Sequence, residues 1–600
     1  MNLTKTIKWP VGVCVLPDPP ANLARTAAQK DYVHEILGHA GLCYSAIPIE
    51  ALPQSLPELR VLVTVGDTEL DQDLSVRLRD WVEAGGTWIA VAGVCGMPDL
   101  FGVEVEQPSF GMWNRGAGTL GEGYLEPLDK SHSVLSHLSI PLHFFNGLPA
   151  HVTRAKELAG VLDAHQRQTR RAAVTAMELG RGCCTLIAPD VIGAVVRIQQ
   201  GTCVTRDGVP SSDGCGSVSD GVLKSDDGAV LDWIFDREPV PGVTGLSAFL
   251  QPIADQWREL LLRAILCACE RAHVTLPILW LYPRNLPALA QMSSDTDGNE
   301  EPKALLLLDK MKEAGVASTW CVLPPGYPQS VNDAIRGAGH ELGMHYDATS
   351  EGCGWGEDEF DSAYEQVVAA LGGLKPVTNK NHFLRWEGDT EFFDWMARRG
   401  IRFDQSKGST KTGEAGFNFG TCHPYFPACP DGRLIDVLEL PTYTQDIGVF
   451  APMELVDPLL GAALRHHGIA HFLFHPAHVD RPGVAQAMRE VVEAGKRNGM
   501  EWWTAQQIND WERARRSVSW ADYKQEEDSL RISLSSLCRL PDATVMLLGP
   551  RPTRWLVNGE ESFVQSVKRW GFKFYTVTLT IENAVEYVCE ADWRRDGDES

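Results

Sequence analysis

Residues 339–347 read GHELGMHYD, and this stretch predicts a buried strand over 340–347 that ends in polar side chains. Side chains two residues apart in a strand lie on the same face, so His345 and Asp347 would face one point near the strand end. A lone histidine is more often a hydrogen-bonded core residue. Here the nearby carboxylate and the strand-end position favour a functional site.

The sequence around this stretch alternates apolar strand patterns with helical patterns. The predicted strands are 287–294, 316–323, 340–347, 381–387, 401–405, 434–440, 469–475 and 501–504. The predicted helices are 301–314, 357–372, 389–399, 453–467 and 484–498. This alternation predicts a (β/α) barrel, in which the chemistry takes place at the carboxyl ends of the strands.

An acidic motif follows the first of these strands. Residues 293–298 read SSDTDG, and the spacing of Asp295 and Asp297 allows both carboxylates to converge on one point. Two such carboxylates suit a metal ligand and a general base. The alternative is an Asp-Gly turn that caps the following helix.

Two further strand ends carry candidate residues. Arg385, in the run NHFLRWEG at 381–388, would clamp a carboxylate or hold the base in place; otherwise it forms a structural salt bridge. His475 follows the apolar run FLF at 472–474, where a barrel presents a general acid; otherwise it is a core histidine.

The mouth of the predicted barrel has three more candidates. Asp404 ends the predicted strand 401–405, and the residues around Gly420 and Pro424 predict a loop over the mouth. Trp386 and Tyr425 are the candidate substrate contacts.

In this order the motifs resemble the polysaccharide deacetylase family, the NodB-homology barrel. The corresponding residues, within 280–510, are Asp295–Gly298, Gly339–His345, Arg385, Asp404 and His475. The Gly339–His345 motif is the most specific of them. The resemblance implies a deformed (β/α) barrel of the NodB type.

The resemblance also implies roles for these residues. Asp297 and His345 would bind a divalent metal, Zn in the first place, or Co, Ni or Mn. Asp295 would be the base that activates water, and His475 would protonate the leaving amine. The residues that would orient this acid and base are Arg385 and Asp404. A metal suits the reaction because it lowers the pKa of water and polarises the acyl oxygen.

The chain departs from the family in two places. Thr349 stands where the family has a second ligand histidine, four residues after His345. Thr296 separates the two acids of the first motif. Asp347 or His382 would then have to supply the missing ligand. Alternatively, the metal site is lost and the barrel only binds.

Residues 1–272 form a region of their own, with predicted strands at 11–16, 61–65 and 87–92 and predicted helices at 24–40 and 74–84. This alternation of strands and helices predicts a flavodoxin-like parallel sheet with helices on both faces. The region resembles a class I glutamine-amidotransferase-like domain, of the kind found beside sugar hydrolases as an assembly module. That resemblance would allow a homo-oligomer to form through this domain.

Cys95 is the candidate nucleophile of this region, at the centre of the run AGVCG at 92–96. A nucleophilic cysteine needs a histidine base. The His-x-Glu pair typical of active members is absent from 150–270, where His151 and His165 lack the glutamate. The domain is therefore predicted to be non-catalytic.

The last residues change in character. Short β-like runs at 530–534, 543–548, 554–557 and 574–581 predict a small C-terminal β-sandwich. The predicted domains are thus 1–272, the barrel at 273–517 and a β-rich appendage at 518–600, all within an α/β protein.

Composition limits the class of partner and the compartment. A net charge of −25 argues against nucleic acid, because phosphate binding needs clustered Lys and Arg. No run of about 18 apolar residues predicts a membrane span. The 15 cysteines are odd in number and contain no CxxC pair, which predicts reduced thiols in the cytoplasm.

The sequence thus predicts a metal-dependent hydrolase of C–N bonds that deacetylates an acylated amino sugar or a related carbohydrate. The first alternative is a degenerate barrel that binds carbohydrate or serves in assembly without catalysis, which Thr349 favours. The weaker alternative is a Cys95-dependent amidohydrolase in the N-terminal domain.

Overall fold

A computed structural model describes residues 9–17, 29–106, 120–208, 221–350, 354–410 and 412–593 of the chain. It confirms the α/β class. The chain forms two compact units. One contains the described parts of 1–195, 256–285 and 513–600, and the other contains those of 196–255 and 286–512.

Strands dominate the first part of the chain. They are β1 (Val11–Val15), β2 (Ser45–Ala46), β3 (Val61–Val65), β4 (Thr87–Val91), β5 (Val103–Val105), β6 (Gly123–Pro127), β7 (Leu142–Phe144), β8 (Ala150–Val152), β9 (Lys156–Asp163), β10 (Gln168–Leu179), β11 (Gly182–Ile187), β12 (Glu238–Pro239) and β13 (Ser247–Ala248). The helices are α1 (Val33–His39), α2 (Leu52–Ser55), α3 (Gln72–Glu83), α4 (Val191–Gln200) and α5 (Ile253–Arg271). Residues 24–28 of the predicted helix 24–40 lie outside the described residues.

The N-terminal sheet is mixed. Its order is β2-β1-β3-β4-β11-β10-β9-β6-β7. The first five strands pair in parallel. Strands β1, β3 and β4 are mostly apolar and almost entirely buried, as is typical of a parallel sheet covered on both faces. From β11 onwards the strands pair antiparallel. The prediction of a purely parallel sheet is therefore wrong for this second half, which consists of hairpins and meanders.

The middle of the chain alternates strands and helices, as the sequence predicts. The strands are β14 (Leu276–Leu279), β15 (Leu289–Asp295), β16 (Thr319–Val322), β17 (Glu341–Tyr346), β18 (Thr378–Asn381), β19 (Phe403–Asp404), β20 (Leu438–Glu439), β21 (Ile469–Leu473) and β22 (Glu501–Trp502). The helices are α6 (Glu301–Ala314), α7 (Gln329–Gly337), α8 (Glu357–Ala370), α9 (Glu391–Arg399), α10 (Val456–Arg465), α11 (Val484–Arg497) and α12 (Ala505–Arg516).

The strands from β15 to β22 form a curled, parallel half-barrel. The order is β20-β19-β18-β17-β16-β15-β21, and β22 also pairs with β15. Within the described residues, β20 and β21 do not pair, so hydrogen bonds do not close the sheet into a full barrel. The carboxyl ends of β15, β17, β18 and β21 lie at one edge because all the pairings are parallel.

The fourth predicted strand, 381–387, is misplaced. The strand is β18, and it ends at Asn381; residues 382–384 form a turn in which Phe383 has φ 56° and Leu384 has φ 51°. The sequence of β18 is TNKN, which has no apolar pattern, yet all four residues are buried. Each of the four side chains forms a hydrogen bond inside this unit; for example, Thr378 Oγ1 donates to Glu341 Oε1. The shift places His382 just beyond the end of the strand.

Residues 196–255 belong to the same unit as the half-barrel, although the sequence predicts a boundary at 272. Val204 N donates to Gly388 O at 2.8 Å, and Phe249 N donates to Ala415 O at 3.0 Å. These isolated bridges leave no periodic signature in the sequence. The compact units therefore differ from the predicted ranges 1–272, 273–517 and 518–600.

The C-terminal part is β-rich, as predicted. Its strands are β23 (Val518–Gln525), β24 (Ser529–Ser536), β25 (Leu540–Leu548), β26 (Arg554–Val557), β27 (Glu560–Glu561), β28 (Gln565–Arg569), β29 (Phe572–Ile581) and β30 (Tyr587–Asp592). They form two antiparallel sheets, β23-β24-β30-β26-β27 and β14-β25-β29-β28. The strand at Leu276–Leu279 therefore pairs with this region, through β25, and does not begin the barrel.

Two further features bear on the predictions from composition. The 13 cysteines of the described residues are all free thiols. Among the same residues, every helix is too short or too polar to span a lipid bilayer.

Candidate active site

Three strands of the half-barrel bring four of the candidate residues to one edge. Asp295 is the last residue of β15, and Asp297 lies in the turn that follows it. His345 lies near the end of β17, and His382 follows the last residue of β18. Parallel strands present such residues at the same edge of a sheet, which is how residues far apart in sequence converge here.

Asp297, His345 and His382 form a cluster. One side-chain oxygen or nitrogen from each lies within 4.8 Å of the others. Asp297 Oδ1 is 3.3 Å from His345 Nε2 and 3.8 Å from His382 Nε2. These three side chains have the donor atoms and the mutual spacing that a divalent cation needs.

Hydrogen bonds on the outer side of the cluster fix both imidazoles. His345 Nδ1 is 2.8 Å from the carbonyl oxygen of Lys380, which can only accept a hydrogen bond. His382 Nδ1 is 3.2 Å from Asp347 Oδ1. Each Nδ1 therefore carries a proton, and Nε2 is the ring nitrogen that faces Asp297 and could bind a metal. This is the tautomer in which a histidine binds a metal through Nε2.

Asp347 lies outside the cluster and supports it. Its Oδ1 accepts hydrogen bonds from Thr349 N at 2.8 Å and from Thr349 Oγ1 at 2.7 Å. Burial alone would raise the pKa of the Asp347 carboxyl, but hydrogen bonds from His382, Ser350 and Thr349 lower it well below its usual range. Of the two alternatives that the sequence leaves open for a third ligand, His382 joins Asp297 and His345, while Asp347 contacts His382.

Three buried atoms of the site have no hydrogen-bond partner among the described residues: Asp295 Oδ1, Asp297 Oδ1 and His345 Nε2. Leaving buried polar atoms unpaired costs free energy, so such atoms usually indicate a missing ligand or a functional role. Two imidazole nitrogens and a carboxylate oxygen are a donor set typical of Zn and similar divalent metals. The residues present therefore fit a divalent metal.

His475 lies on the other side of the acids and is held by Asp446. His475 Nδ1 is 2.5 Å from Asp446 Oδ2, and His475 N donates to Asp446 Oδ1 at 2.8 Å. His475 Nε2 faces inward, 3.6 Å from Asp297 Oδ2 and 3.9 Å from Asp295 Oδ2. Burial alone would lower the pKa of His475, but the charge and hydrogen bond of Asp446 and the charges of Asp295 and Asp297 raise it to about 9.

Lys380 contacts Asp295 from beneath. Its Nζ is 3.5 Å from Asp295 Oδ1 and donates to Ser293 Oγ at 2.6 Å, and its side chain is completely buried. Ser293 Oγ in turn lies 2.8 Å from His471 Nε2. Burial, followed by the charge of Lys380, lowers the pKa of His471 well below its usual value, so His471 is neutral and accepts this hydrogen bond.

The two residues predicted to orient the base and the acid, Arg385 and Asp404, make other contacts in the structure. Arg385 donates to Leu223 O at 3.0 Å and to the Glu387 carboxylate. Asp404 accepts hydrogen bonds from Asn379 Nδ2 and Ser406 Oγ, both at 2.8 Å. The positions beside Asp295 and His475 are taken by the residues described above, Lys380 and Asp446. Asp446 follows no strand pattern and Lys380 lies in a polar strand, so no local sequence pattern indicates either residue.

The two predicted substrate contacts are buried. Trp386 is 0% exposed and lies under Lys407, whose Nζ is 3.7 Å from the ring centroid. Tyr425 is also 0% exposed and donates to Gln199 O at 2.5 Å. Both side chains therefore lie in the core of this unit, whereas the sequence suggests them as substrate contacts.

Two other aromatic rings are exposed beside the site. Phe383 is 57% exposed, with its ring centroid 4.5 Å from that of His382. Phe450 is 44% exposed, and its ring centroid is 5.4 Å from that of His478, which itself contacts Asp446 at 3.1 Å. Exposed aromatic side chains next to a polar cluster are typical of ligand-binding surfaces.

Cys95 lies in the other unit, at the end of β4. Its backbone N–H and that of Val94 donate to Asp67 Oδ1 at 2.8 and 3.0 Å. Burial, followed by the charge of Asp67, raises the pKa of the Cys95 thiol far above its usual value. A thiolate is the reactive form of cysteine, so this environment disfavours nucleophilic chemistry.

Solved structures that resemble this chain include carbohydrate-active enzymes at low identity. The carbohydrate deacetylase Agd3 is 11% identical over 97% of this chain and 99% of its own, with a TM-score of 0.41. A protein designated a polysaccharide deacetylase, from Mycobacterium smegmatis, is 20% identical over 39% of this chain and 93% of its own, with a TM-score of 0.30. A β-galactosidase from Bacillus circulans is 14% identical over 32% of this chain and 30% of its own, with a TM-score of 0.24.

No known family profile matches the sequence. A comparison with curated proteins likewise finds no match.

Proposed function

We propose that the chain is a metal-dependent hydrolase of N-acyl bonds that acts on an acylated amino sugar or a related carbohydrate. The observation that carries this proposal is the convergence of Asp297, His345 and His382 beside Asp295 and His475. Amide hydrolysis requires three metal-ligand atoms, a second carboxylate and a histidine, and the cluster offers them all, with Asp295 as the carboxylate and His475 as the histidine.

Asp297, His345 and His382 would hold the metal, with Zn first and Co, Ni or Mn as alternatives. When bound, such an ion polarises an acyl oxygen and lowers the pKa of water. Catalytic zinc sites have three protein ligands and an open position, and the cluster offers three. Thr349 stands where the family has a ligand histidine. His382, which follows a different strand, would supply the third ligand instead.

Asp295 and His475 would carry the protons. Asp295 takes a proton from the attacking water as its oxygen forms a bond to the acyl carbon. His475 Nε2 gives its proton to the nitrogen as the C–N bond breaks, so that the amine leaves neutral and the acyl group leaves as a carboxylic acid. The proposal requires His475 to be protonated, and the charge of Asp446 favours that form.

Lys380 and Asp446 are positioning residues in this proposal. Lys380 would hold the Asp295 carboxylate in place, since its Nζ lies 3.5 Å from Asp295 Oδ1. Asp446 holds His475 with Nε2 facing inward. These two pairs perform the roles for which the sequence suggests Arg385 and Asp404.

The sugar part of the proposal rests on the order of the motifs, which resembles polysaccharide deacetylases, and on the exposed rings of Phe383 and Phe450. Aromatic faces suit the apolar faces of sugar rings. The cytoplasm is the proposed compartment, because the 13 described cysteines are all free.

The test is hydrolysis by the full chain. The protein is stripped with a chelator, reloaded with Zn, Co, Ni or Mn, and incubated with a panel of N-acetylated hexosamine oligomers. We expect acetate release that disappears with the chelator and returns with metal. Metal bound at one equivalent without any hydrolysis across the panel would favour the alternative of a binding-only barrel; failure to bind any metal would overturn the proposal.

A further inference from the structure

The C-terminal β-region contains a cavity of about 510 Å³ that is remote in sequence from the half-barrel. Its lining comes from both antiparallel sheets: Arg554 and Trp555 lie on β26, Gln565 on β28, and Lys573 and Tyr575 on β29. Lys573 and Tyr575 are two residues apart in one strand and so face the same side. The volume is that of a small-molecule or oligosaccharide site rather than of a single ion.

The cavity is cationic. Arg551, Arg554 and Lys573 line it and are exposed, and the one carboxylate in the lining is that of Glu561. None of the three cations forms a salt bridge with a residue of the described ranges. By contrast, Arg531 and Arg539, elsewhere in the same region, pair with Glu590 and Glu582.

The lining thus carries three cations against one carboxylate, in a chain whose net charge is −25. A cleft lined by one sign of charge focuses its field and concentrates ligands of the opposite charge. Guanidinium groups are suited to carboxylate, sulfate and phosphate because their donors match two oxygens at once.

Aromatic rings accompany the cations. Phe563 is 81% exposed at the cavity, which is costly for a side chain with no partner surface. Tyr575 lies under Lys573, whose Nζ is 5.2 Å from the ring centroid. The same lining offers side-chain hydroxyl and amide groups from Thr553, Ser562, Gln565 and Ser566.

We infer that this cavity binds an acidic polysaccharide, a sugar chain that carries carboxylate or sulfate groups. The cations would pair with its acidic groups, Phe563 would stack on a sugar face, and the hydroxyl and amide groups would contact sugar hydroxyls. A bare inorganic anion would use neither the aromatic ring nor the volume. The inference is independent of the hydrolase proposed above, because it concerns another site and is tested by binding alone.

The experiment measures binding of the full chain to soluble polymers by isothermal titration calorimetry. The probes are polygalacturonate, which is carboxylated, dextran sulfate, and neutral dextran of matched length. We expect binding to at least one acidic polymer and none to dextran, with affinity that falls as the salt concentration is raised from about 0.05 to 0.3 M. Which acidic polymer binds more tightly identifies the acidic group.

Variants then locate the site. R551A/R554A and K573A should each weaken binding at least about tenfold, since each removes exposed charge from the lining. F563A should weaken binding to the polymer while leaving the salt dependence unchanged. The matched control is R539A, an exposed arginine of the same region that already pairs with Glu582, and it should bind as the parent does.

Four results would overturn the inference. They are equal binding to dextran, no binding to either acidic polymer, an equal loss in R539A, or tighter binding to single-stranded RNA than to both acidic polymers. Because the lining residues lie outside the proposed catalytic cluster, hydrolysis of a small soluble substrate should be unchanged in all the variants. Loss of hydrolysis in the parent would leave the binding result intact.

Discussion

Asp347 Oδ1 lies 3.2 Å from His382 Nδ1, and this contact joins two strands of the half-barrel at the candidate metal cluster. Thr349, which occupies the position where the deacetylase family has a ligand histidine, donates two hydrogen bonds to the same oxygen. Thr349 also contacts the histidine directly, since its Oγ1 lies 3.3 Å from His382 Nδ1. It therefore supports His382 both directly and through Asp347. With Thr349 in place of the family's histidine, the candidate cluster still has a second histidine, His382, which follows the neighbouring strand β18.

The first prediction distinguishes a proposed metal ligand, His382, from a residue that only orients it, Asp347. H382A should abolish stoichiometric Zn binding, whereas D347N should retain it with an affinity about 10–100-fold lower, because an outer hydrogen bond orients the ligand without replacing it. Metal content after dialysis and competition with a chromogenic chelator measure both. The control is T349V, which keeps the backbone donor and loses only the hydroxyl. Full Zn occupancy in H382A would show that the cluster is not the site.

The second prediction concerns the acid and the base. D295N and H475A should each lower kcat by a factor on the order of 10²–10⁴ while the metal stays bound. Each removes one proton-transfer group and leaves the three proposed ligands in place. Circular dichroism and metal content serve as controls for folding. Parent-like rates in both variants would contradict the assignment.

The third prediction is a pH dependence. Hydrolysis needs Asp295 ionised and His475 protonated, so the pH–rate profile should be bell-shaped. The charge of Asp446 raises the pKa of His475. Removing that charge in D446N should therefore lower this pKa and move the basic limb of the profile to lower pH.

A role for Asp446 that was only structural would lower the rate at every pH without moving the limb. The measurement is kcat against pH for parent and D446N with saturating metal. An unmoved basic limb would show that His475 is not the group that titrates there.

The fourth prediction concerns the N-terminal unit. C95S should hydrolyse the substrate at the parental rate, because the Cys95 thiol is buried and its pKa is raised. Serine is close in size to cysteine, so the fold should be kept. Complete loss of activity in a folded C95S protein would move the chemistry to this domain.

The fifth prediction tests whether Trp386 is a core residue or a substrate contact. Since its side chain is fully buried, W386A should destabilise the protein by about 3–5 kcal/mol, measured by denaturant unfolding. The matched control is F383A at the exposed ring three residues earlier, where the change should stay within about 0.5 kcal/mol. A stable W386A protein with a raised KM would restore Trp386 as a substrate contact.

Local patterns of residues were enough to predict several helices and strands. Helix α6 runs from Glu301 to Ala314, with Pro302 in its first turn and Gly315, at φ 62°, as its C-cap, and its predicted bounds were the same. The strands around Asp295, His345 and His475 were likewise predicted, because apolar runs that end in polar residues indicate buried strands with functional ends. The order of those motifs led to the half-barrel and to the residues proposed as ligand, base and acid.

Which residues support that cluster depends on how distant segments of the chain pack together. His382 joins it because β18 ends at Asn381, and β18 has no apolar pattern since its polar side chains are paired inside the sheet. Lys380 and Asp446 lie beside Asp295 and His475 for the same kind of reason: contacts between strands and loops distant in the chain set their positions. Likewise, β14 pairs with β25, more than 250 residues later, and no local pattern specifies such a partner. The hydrophobic periodicity of a helix or strand can be recognised from its own residues. Hydrogen-bond partners between elements, by contrast, exist only after the elements have packed.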